Sequence, residues 1–430
     1  MTIKKMKKNI LIISYGYPPL NDAGAQRPYA LAKYLDVTKY NITVITCENP
    51  SSALGLNINF DSSLDNVSVI KIRSYIGGAT NSLNKYKTKS KSFKSFIKSF
   101  IYNLGQKLMF PDKGMLWYPN VKKYLKQNKE LIKNTDIVFS TSPGVTNHRI
   151  SLLIKRQNPT IQWIADFRDF NYIENWDSKK SIKAYLHKKL EKSIIKESST
   201  LTFVTKTMQL AYQKFYPEFK SKMHCVYNGF DKGDFPSIVE PLNDKLSFFY
   251  AGSFYNGLRS PLPLMQLIDK AFEDKLLSPE EVLVQIAGNI DEETKSILKS
   301  CKSFNCIEFL GNVPRTEVLQ YVCKTTFLWL IVANIKSHYQ TIPIKLFEYI
   351  AARRPIVNFA PIVSESSQII KENNLGYNFD TLDFNVEKSY IEFSKMILKY
   401  KDGAFNKATP NEHLYSFTWD NQMNKIENIL

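Results

Sequence analysis

The chain has 430 residues, of which 43% are hydrophobic and 23% charged, and its net charge is +18 at pH 7. A single hydrophobic core rarely serves so long a chain, so two or more domains are expected. No apolar run approaches the roughly 20 residues that a membrane-spanning helix needs, so we expect a soluble or peripheral protein. The positive charge indicates an anionic partner, which could be a nucleic acid, a nucleotide or an anionic membrane surface.

The lysines at the start of the chain precede a short apolar run, Ile10 to Ile13, and then Tyr-Gly-Tyr-Pro-Pro. That run is too short for the apolar part of a signal peptide, and we interpret it as a first buried strand. Without an export signal or Cys-x-x-Cys spacing, the cysteines are expected to be reduced, structural and cytoplasmic. The five cysteines are Cys47, Cys225, Cys301, Cys306 and Cys323.

A basic amphipathic helix is predicted within an insertion at about residues 80–110. Apolar residues recur there at helical spacing from Phe93 to Leu108. The lysines of this segment are Lys85, Lys87, Lys89, Lys91, Lys94 and Lys98. Such a helix can lie among the headgroups of an anionic membrane, or it can pack on the protein's own core beneath its lysine stems. Nucleic acid is not an expected partner, because the chain lacks recognisable DNA- or RNA-binding motifs.

Short apolar runs alternate with helical patterns along the whole chain. The first series of runs is NILIIS, NITVIT, DIVFST, IQWIADF and TLTFVT, with a helix predicted from Pro28 to Leu35 after the first. The second series is KLSFFYAGS, VLVQIAG, CIEFLG, FLWLIV and RPIVNF. Alternation of this kind predicts parallel sheets covered by helices on both faces, and two doubly wound domains are the economical interpretation. Glycine, proline and acidic residues place the boundary between Asn228 and Lys245.

In doubly wound domains, ligands bind beyond the carboxyl ends of the strands, so the loops after the strands are the candidate sites. The loop after the first strand offers Asn21 for polar contacts and Gly24 for a close backbone approach. It is not the Gly-x-Gly-x-x-Gly fingerprint, which argues against an NAD enzyme.

Two further loops of the first domain follow apolar strands with polar residues. The first contains Ser142 and His148, and the second contains Asp166, Arg168 and Asp169. Polar clusters in these positions indicate a functional site. A buried structural ion pair would have the same sequence, and His148 could equally lie on a helix surface.

The second domain contributes a loop with Gly252, Ser253 and Arg259, where an arginine beside a glycine loop suits a pyrophosphate. A solvated surface arginine remains the alternative. Residues 341–357 read TIPIKLFEYIAARRPIV, in which Pro343 begins a helix that holds Lys345 and Glu348. The N–H groups of such a helix start favour anions, and Lys345 adds positive charge. An ordinary amphipathic helix with both side chains in solvent is the other interpretation.

Together these motifs resemble the GT-B glycosyltransferases, specifically the large retaining nucleotide-sugar family called glycosyltransferase group 1. The resemblance rests on ILIISYGYPP, the TSP and ADFRD loops, VYNGFD, YAGSFY, IAGN, EFLGNVP and P-x-K-x-x-E-Y. It implies two Rossmann-like domains facing each other across a cleft. Residues 1–235 would bind the acceptor and residues 236–405 the nucleotide sugar, and a helix within 406–430 would cross back to the first domain.

The resemblance also implies a role for each candidate residue. Glu348 would bind the ribose, backbone amides from Ile342 to Lys345 and the Arg259 side chain would hold the diphosphate, and Gly24 would face the same phosphates. The loop with Gly252 and Ser253 would belong to the donor site. Acceptor and catalytic contacts would come from Asn21, Ser142, His148, Asp166, Arg168 and Asp169. No cofactor and no obligatory metal are implied.

The sequence departs from the family pattern at Gln340, where the family has the first glutamate of Glu, seven residues, Glu. Glutamine forms hydrogen bonds but supplies no negative charge to an oxocarbenium-like transition state. The expected activity is transfer of a sugar to a saccharide hydroxyl, with a lipid-linked acceptor and retention of configuration, in cell-surface polysaccharide synthesis at the inner face of the cytoplasmic membrane. The alternatives are a GT-B sugar-nucleotide epimerase and a non-enzymatic scaffold that binds membrane or nucleic acid.

Overall fold

The computed structural model describes residues 6–20, 23–50, 64–75, 110–171, 181–235, 245–405 and 412–430. The chain divides into two compact units. The first unit comprises Met1–Tyr227 and Met423–Leu430, and the second comprises Asn228–Gln422. The basic amphipathic segment predicted at about 80–110 lies outside the described residues as far as residue 109, and so does the candidate residue Asn21.

The first unit is built on a sheet of seven described strands with the order β3-β2-β1-β4-β5-β6-β7, and every strand pair is parallel. The strands are β1 (Lys8–Ile13), β2 (Tyr40–Cys47), β3 (Val67–Ile72), β4 (Ile137–Thr141), β5 (Gln162–Phe167), β6 (Thr200–Phe203) and β7 (Met223–Cys225). The helices are α1 (Ala23–Tyr34), α2 (Tyr118–Gln127), α3 (Lys129–Lys133), α4 (Val145–Gln157), α5 (Ile182–Glu197) and α6 (Lys206–Phe215). Short 3₁₀ turns cover Lys113–Leu116 and Pro217–Lys222.

The apolar runs of the first unit form strands because helices cover both faces of the sheet. All residues of β4 and β6 are buried, and so are five of the six in β5. A strand buried on both faces cannot alternate apolar with polar residues, so it reads as a continuous apolar run. The doubly wound sheet predicted from these runs is confirmed.

Helix α1 begins at Ala23, upstream of Pro28, and so the predicted start at Pro28 was wrong. Pro28 lies inside the helix. Because proline has no N–H, it cannot donate to the carbonyl of Gly24 one turn back. The guanidinium of Arg168 donates to that carbonyl instead, at 2.9 Å. A side chain from another loop therefore satisfies the backbone group that proline leaves open.

The second unit contains a parallel sheet of six described strands with the order β10-β9-β8-β11-β12-β13. The strands are β8 (Leu246–Ala251), β9 (Val282–Ala287), β10 (Ile307–Gly311), β11 (Phe327–Ile331), β12 (Ile356–Ala360) and β13 (Gly376–Asp380). The helices are α7 (Leu262–Glu273), α8 (Glu292–Lys299), α9 (Arg315–Lys324), α10 (Lys336–Tyr339), α11 (Ile344–Ala352), α12 (Glu365–Glu372) and α13 (Val386–Lys401). A last helix, α14 (Trp419–Glu427), begins in this unit and ends in the first. The 3₁₀ turns are Lys232–Asp234, Pro279–Glu281, Lys302–Cys306 and Glu412–Phe417.

Glycines end two neighbouring strands of the second sheet, where two backbones approach closely. Gly252 follows β8 with a φ of +137°, and Gly288 follows β9 with a φ of +131°. A Cβ at Gly288 would lie 2.5 Å from the carbonyl oxygen of Gly252. Only glycine combines this left-handed conformation with such a close contact. The loop that begins at Gly252 is thereby fixed at the carboxyl edge of the sheet.

The chain ends in the first unit. Residues Met423–Leu430 belong to that unit, and Glu427 of α14 forms an ion pair with Lys39 at 2.6 Å. Among the described residues, no helix is long and apolar enough to cross a membrane, and the five cysteines form no disulfide.

The core of the second unit generates a stability prediction. Phe248 of β8 is fully buried and stacks on Phe327 and Phe393 at 5.4 and 6.3 Å between ring centroids. We expect Phe248→Ala to lower the free energy of unfolding by about 3–5 kcal/mol, because it removes apolar contacts and leaves a cavity. Denaturant unfolding followed by circular dichroism measures this. Phe309→Ala is the control in the same sheet, where the ring is 39% exposed, and an equal loss in both variants would contradict the prediction.

Candidate functional site

Lys345 is the central side chain of the candidate site in the second unit. It lies in the first turn of α11, whose N-terminus follows Pro343, and its ammonium lies 4.1 Å from the centre of the Tyr250 ring. The same Nζ is 2.9 Å from the place where a side chain at Gly252 would begin. The start of α11 and the end of β8 therefore meet at this ammonium, as the rule for parallel sheets predicts.

The Lys345 ammonium is shielded from solvent and has no hydrogen-bond partner among the described residues. Burial, helped by the nearby charge of Arg259 and opposed by Glu348, lowers the pKa of Lys345 to about 7. An unpaired buried ammonium is costly, and an anion would relieve that cost. The first N–H groups of α11 have no partners within the helix and favour negative charge at the same place.

Arg259 adds a second cation to this site. Its guanidinium packs on the ring of Tyr255 at 4.7 Å from the centroid, and its Nε is buried without a partner among the described residues. The loop from Gly252 brings Arg259 close enough to lower the pKa of Lys345. The hydroxyl of Tyr250 donates to the Ser253 carbonyl at 3.0 Å and fixes the same loop.

Glu348 lies on α11 one turn beyond Lys345 and forms an ion pair with Arg315. The guanidinium donates to Oε1 of Glu348 from Nε at 3.2 Å and approaches it from a terminal nitrogen at 3.1 Å. Arg315 also pairs with Asp234 at 2.9 Å. Burial raises the pKa of Glu348 above its ordinary value, although the Arg315 charge opposes the rise. Neither Arg315 nor Asp234 was predicted from the sequence to belong to this site.

The remaining donor candidates of the second unit lie on the same stretch of chain, whereas Gly24 lies in the first unit. Gln340 is half-buried directly after α10, and Ile342 is buried just before α11. The second unit therefore brings together Gly252, Ser253, Arg259, Lys345 and Glu348 around the end of β8 and the start of α11.

In the first unit, Asp166 is fully buried, and its carboxylate accepts hydrogen bonds from other side chains of that unit. Arg27 donates two hydrogen bonds to its carboxylate, both at 2.8 Å, and Thr141 and Thr202 donate at 2.7 and 2.6 Å. Burial alone would raise the pKa of Asp166, but the charge and hydrogen bonds of Arg27 and the two threonines hold it below its ordinary value. Asp166 and Arg27 thus form a buried structural ion pair, which was the alternative interpretation of the sequence.

Arg168 and Ser142 join neighbouring loops to one another. The Ser142 hydroxyl accepts from the Arg168 backbone N–H at 2.8 Å, and the Ser142 N–H donates to the Asp166 carbonyl at 3.0 Å. The Arg168 side chain is largely buried and donates to Gly24, as described above. These contacts fix the loops at the carboxyl edge of the first sheet. Asp169, by contrast, is exposed.

His148 is fully buried, stacks on Phe167 with ring centroids 4.9 Å apart, and lies 2.8 Å from the Ser140 hydroxyl through Nδ1. Ser140 also accepts from the indole of Trp163 at 2.9 Å. Burial lowers the pKa of His148 to about 4, so the ring is neutral at physiological pH. The sequence correctly placed His148 on a helix, which is α4, but its side chain faces the interior and not the solvent.

Sequence reasoning missed Arg27, Arg315, Asp234 and Tyr250. Arg27 is separated from Asp166 by 139 residues and Arg315 from Glu348 by 33, so no local pattern connects either pair. Among the described residues, no group of three His, Cys, Asp or Glu side chains is placed to hold a metal ion. A transferase without a metal stays a prediction.

The sequence matches no protein-family model and no curated protein. Solved structures, however, are similar over almost the entire chain. Sucrose-phosphate synthase from Thermosynechococcus elongatus is 13% identical with a TM-score of 0.59, covering 98% of both chains. A glycosyltransferase from Rickettsia africae is 14% identical with a TM-score of 0.61, covering 98% of this chain and 97% of that one. A trehalose-6-phosphate protein of E. coli bound with UDP-2-fluoro glucose is 9% identical with a TM-score of 0.60, covering 98% of both chains. The chain therefore has the GT-B fold, as predicted.

The buried pair of the first unit generates a second stability prediction. We expect Asp166→Asn to lower the free energy of unfolding by about 3–5 kcal/mol, because Arg27 is left as a buried charge without its counter-charge. Because the pKa of Asp166 is lowered in the folded state, this stabilisation is complete above about pH 4 and is lost as the pH falls through the folded-state pKa. Urea unfolding at neutral pH is the measurement. Asp169→Asn on the exposed neighbour is the matched control, and equal stability of both variants would contradict a structural role for Asp166.

Proposed function

We propose that this chain, which has the GT-B fold, is a glycosyltransferase that moves a sugar from a nucleoside diphosphate sugar to a hydroxyl group of a saccharide. The observation that carries the proposal is the Lys345 ammonium at the start of α11, which has no hydrogen-bond partner within the described ranges and lies beside Arg259 and the Gly252 loop. Two cations and the N–H groups of a helix start are the groups that bind a diphosphate. The E. coli neighbour was solved with UDP-2-fluoro glucose, a ligand of this class.

The same groups supply the chemistry of the transfer. When the glycosidic bond to the donor breaks, negative charge develops on the departing diphosphate. Positive side chains and helix N–H groups placed beforehand stabilise that charge without reorganisation. Lys345 and Arg259 are the residues that would do this, and no metal is required in the scheme. With retention of configuration, the departing phosphate would accept the proton of the acceptor hydroxyl.

Glu348 would accept a hydrogen bond from a ribose hydroxyl, since it lies about one helical turn beyond Lys345 and the N–H groups that would bind the diphosphate. Gln340 would contact the donor sugar through hydrogen bonds. Because an amide supplies no negative charge, Gln340 would give little electrostatic help to an oxocarbenium-like transition state. Stabilisation of the transition state would then depend more on the groups that bind the diphosphate than it does in proteins with glutamate at this position.

On the acceptor side, the buried network supports a positioning role for Asp166, His148 and Ser142. Asp166 has its hydrogen-bond capacity filled within the protein, and His148 is neutral and enclosed. Among the acceptor-side candidates that the structure describes, Asp169 is the exposed one and could contact a saccharide hydroxyl. Sucrose-phosphate synthase and the trehalose-6-phosphate protein are named for sugar phosphates. We propose a saccharide acceptor, lipid-linked and destined for the cell surface.

A membrane surface is the second proposed partner, and helix α5 supports it. Ile182, Tyr185 and Leu186 are 82%, 64% and 39% exposed at positions that share one helical face. Lys189 and Lys192 are exposed further along the helix. Phe110, at the end of the predicted basic segment, packs against His187 of α5 with 4.8 Å between the ring centroids. Apolar and basic side chains together suit the headgroup region of an anionic bilayer at the inner face of the cytoplasmic membrane.

The donor site predicts nucleotide binding that depends on Lys345. In a thermal-shift screen with UDP, GDP, ADP, dTDP, CMP and NAD, we expect one nucleoside diphosphate to raise the melting temperature. We expect Lys345→Met to weaken its binding at least tenfold, by roughly 1.5–3 kcal/mol for one charge-assisted contact. Because the pKa of Lys345 is about 7, the affinity should also fall as the pH rises through that value, and this fall should be absent in Lys345→Met.

Lys299→Met is the matched control for this experiment, because Lys299 is an exposed lysine of the same unit. Binding unchanged by Lys345→Met would contradict the assignment of the site. No stabilisation by any nucleotide would contradict the enzyme proposal and favour the membrane scaffold. A nucleotide sugar whose sugar is isomerised without an acceptor would instead indicate an epimerase.

The exposed face of α5 predicts membrane binding that needs both its apolar and its basic residues. Flotation with phosphatidylglycerol vesicles should recover the wild-type protein, and Lys189→Glu with Lys192→Glu should reduce recovery at least tenfold, since each basic residue adds about 1 kcal/mol. Ile182→Ser with Tyr185→Ser should reduce it on both anionic and neutral vesicles. Lys122→Glu with Lys123→Glu changes exposed lysines of α2 as the control. Equal flotation of all variants would refute this surface.

A further inference from the structure

We propose that Arg315 is a positioning residue that holds the Glu348 carboxylate charged and oriented for the ligand, and that Asp234 sets the strength of this hold. The inference rests on the proposed function, because it takes the ligand to be a nucleotide with a free ribose hydroxyl. The sequence resemblance gives no role to Arg315 or to Asp234. Their assignment comes from the contacts of the folded second unit.

The Arg315 guanidinium contacts two different carboxylates at once. Arg315 is the first residue of α9, directly after Pro314, and its side chain extends from there to Glu348 on α11. Two of its nitrogens contact Oε1 of Glu348 at 3.2 and 3.1 Å, and a third lies 2.9 Å from Oδ2 of Asp234. A planar guanidinium fixes the directions of its donors, which a lysine ammonium does not.

Both contacts from Arg315 go to the same oxygen of Glu348. These contacts restrain Oε1, and Oε2, which neither contact uses, is the oxygen that we assign to a ligand hydroxyl. The Glu348 side chain is only 18% exposed, whereas Arg315 and Asp234 are 36% and 34% exposed. A carboxylate that is mostly enclosed needs a counter-charge to stay ionised, and Arg315 supplies it from the more exposed side.

Within the described part of the chain, three charged groups act on Glu348, and together with burial they determine its protonation. Arg315 on α9 and Lys345 on its own helix favour the charged carboxylate, while burial and the negative charge of Asp234 favour the protonated form. Asp234 lies in the 3₁₀ turn Lys232–Asp234, close after Tyr227, where the chain passes from the first unit to the second. Arg315 therefore pairs both with Asp234, in the segment that joins the two units in sequence, and with Glu348, the proposed ligand-binding carboxylate.

A direct titration tests the hold of Arg315 on Glu348 without any ligand. Protein labelled with ¹³C at the glutamate carboxyl carbons is titrated by NMR, and Glu348→Gln identifies the Glu348 signal. We expect Arg315→Gln to raise the pKa of Glu348, because a counter-charge is lost, and Asp234→Asn to lower it, because a competing carboxylate is lost. Arg315→Lys should fall between wild type and Arg315→Gln. A Glu348 pKa that moves in neither variant, or moves in the same direction in both, would overturn the inference.

Nucleotide affinity is the second measurement, made by calorimetry with UDP, GDP, ADP and dTDP in turn between about pH 5.5 and 8.5. Because a protonated Glu348 accepts only a weaker, uncharged hydrogen bond from the ribose, Arg315→Gln should weaken binding roughly tenfold at the acidic end and less at the alkaline end. Asp234→Asn should extend tight binding to lower pH. A uniform loss across the pH range in Arg315→Gln would indicate only a structural role and would refute the positioning role.

The two measurements separate the inference from the proposal on which it rests. If no nucleotide binds the wild-type protein while the Glu348 titration moves as expected, the proposed function fails and the charge relation among the three residues stands. If a nucleotide binds and the pH profile is the same in all variants, the proposed function stands and the inference fails. Asp234→Asn is a conservative change at a partly exposed position, so it serves even if Arg315→Gln does not fold.

Discussion

Parallel strands end at the same edge of their sheet, and the candidate groups of both units depend on this constraint. In the second unit it brings the Gly252 loop beside the start of α11, although their positions in the chain are far apart. In the first unit it brings Thr141, Asp166 and Thr202, at the ends of β4, β5 and β6, into one hydrogen-bonded network. The close approach of Gly252 and Gly288 shows how tightly the strand ends pack at that edge.

Buried charge is balanced inside the protein in the first unit but not at Lys345 of the second, and this difference distinguishes a structural network from a candidate binding site. Asp166 is surrounded by Arg27 and two threonines, so its charge is balanced without any ligand. Lys345 has an aromatic face and a second cation near it but no hydrogen-bond partner in the described part of the chain. A protein gains nothing in stability from such an ammonium, whereas an anionic ligand gains a preformed partner.

Glu348 lies between these two cases. Its carboxylate is paired with Arg315, yet the pairing uses one oxygen and divides the arginine between two acids. A pair of this kind keeps a carboxylate charged while leaving it able to accept a further hydrogen bond. The Glu348 carboxylate and the chain segment at Asp234 thus share the same guanidinium.

The sequence by itself determined the two parallel sheets, because strands buried on both faces must be continuously apolar and their spacing by helices leaves few alternatives. It also determined the neighbourhood of Lys345 and Glu348, because their separation on one helix is a local property. Only the tertiary structure decided what each charge contacts. Arg27 meets Asp166 and Arg315 meets Glu348 through folding that brings distant residues together, so no periodicity records either pair. For the same reason His148 could be placed on a helix from the sequence, but its burial could not, since burial depends on what packs against that helix.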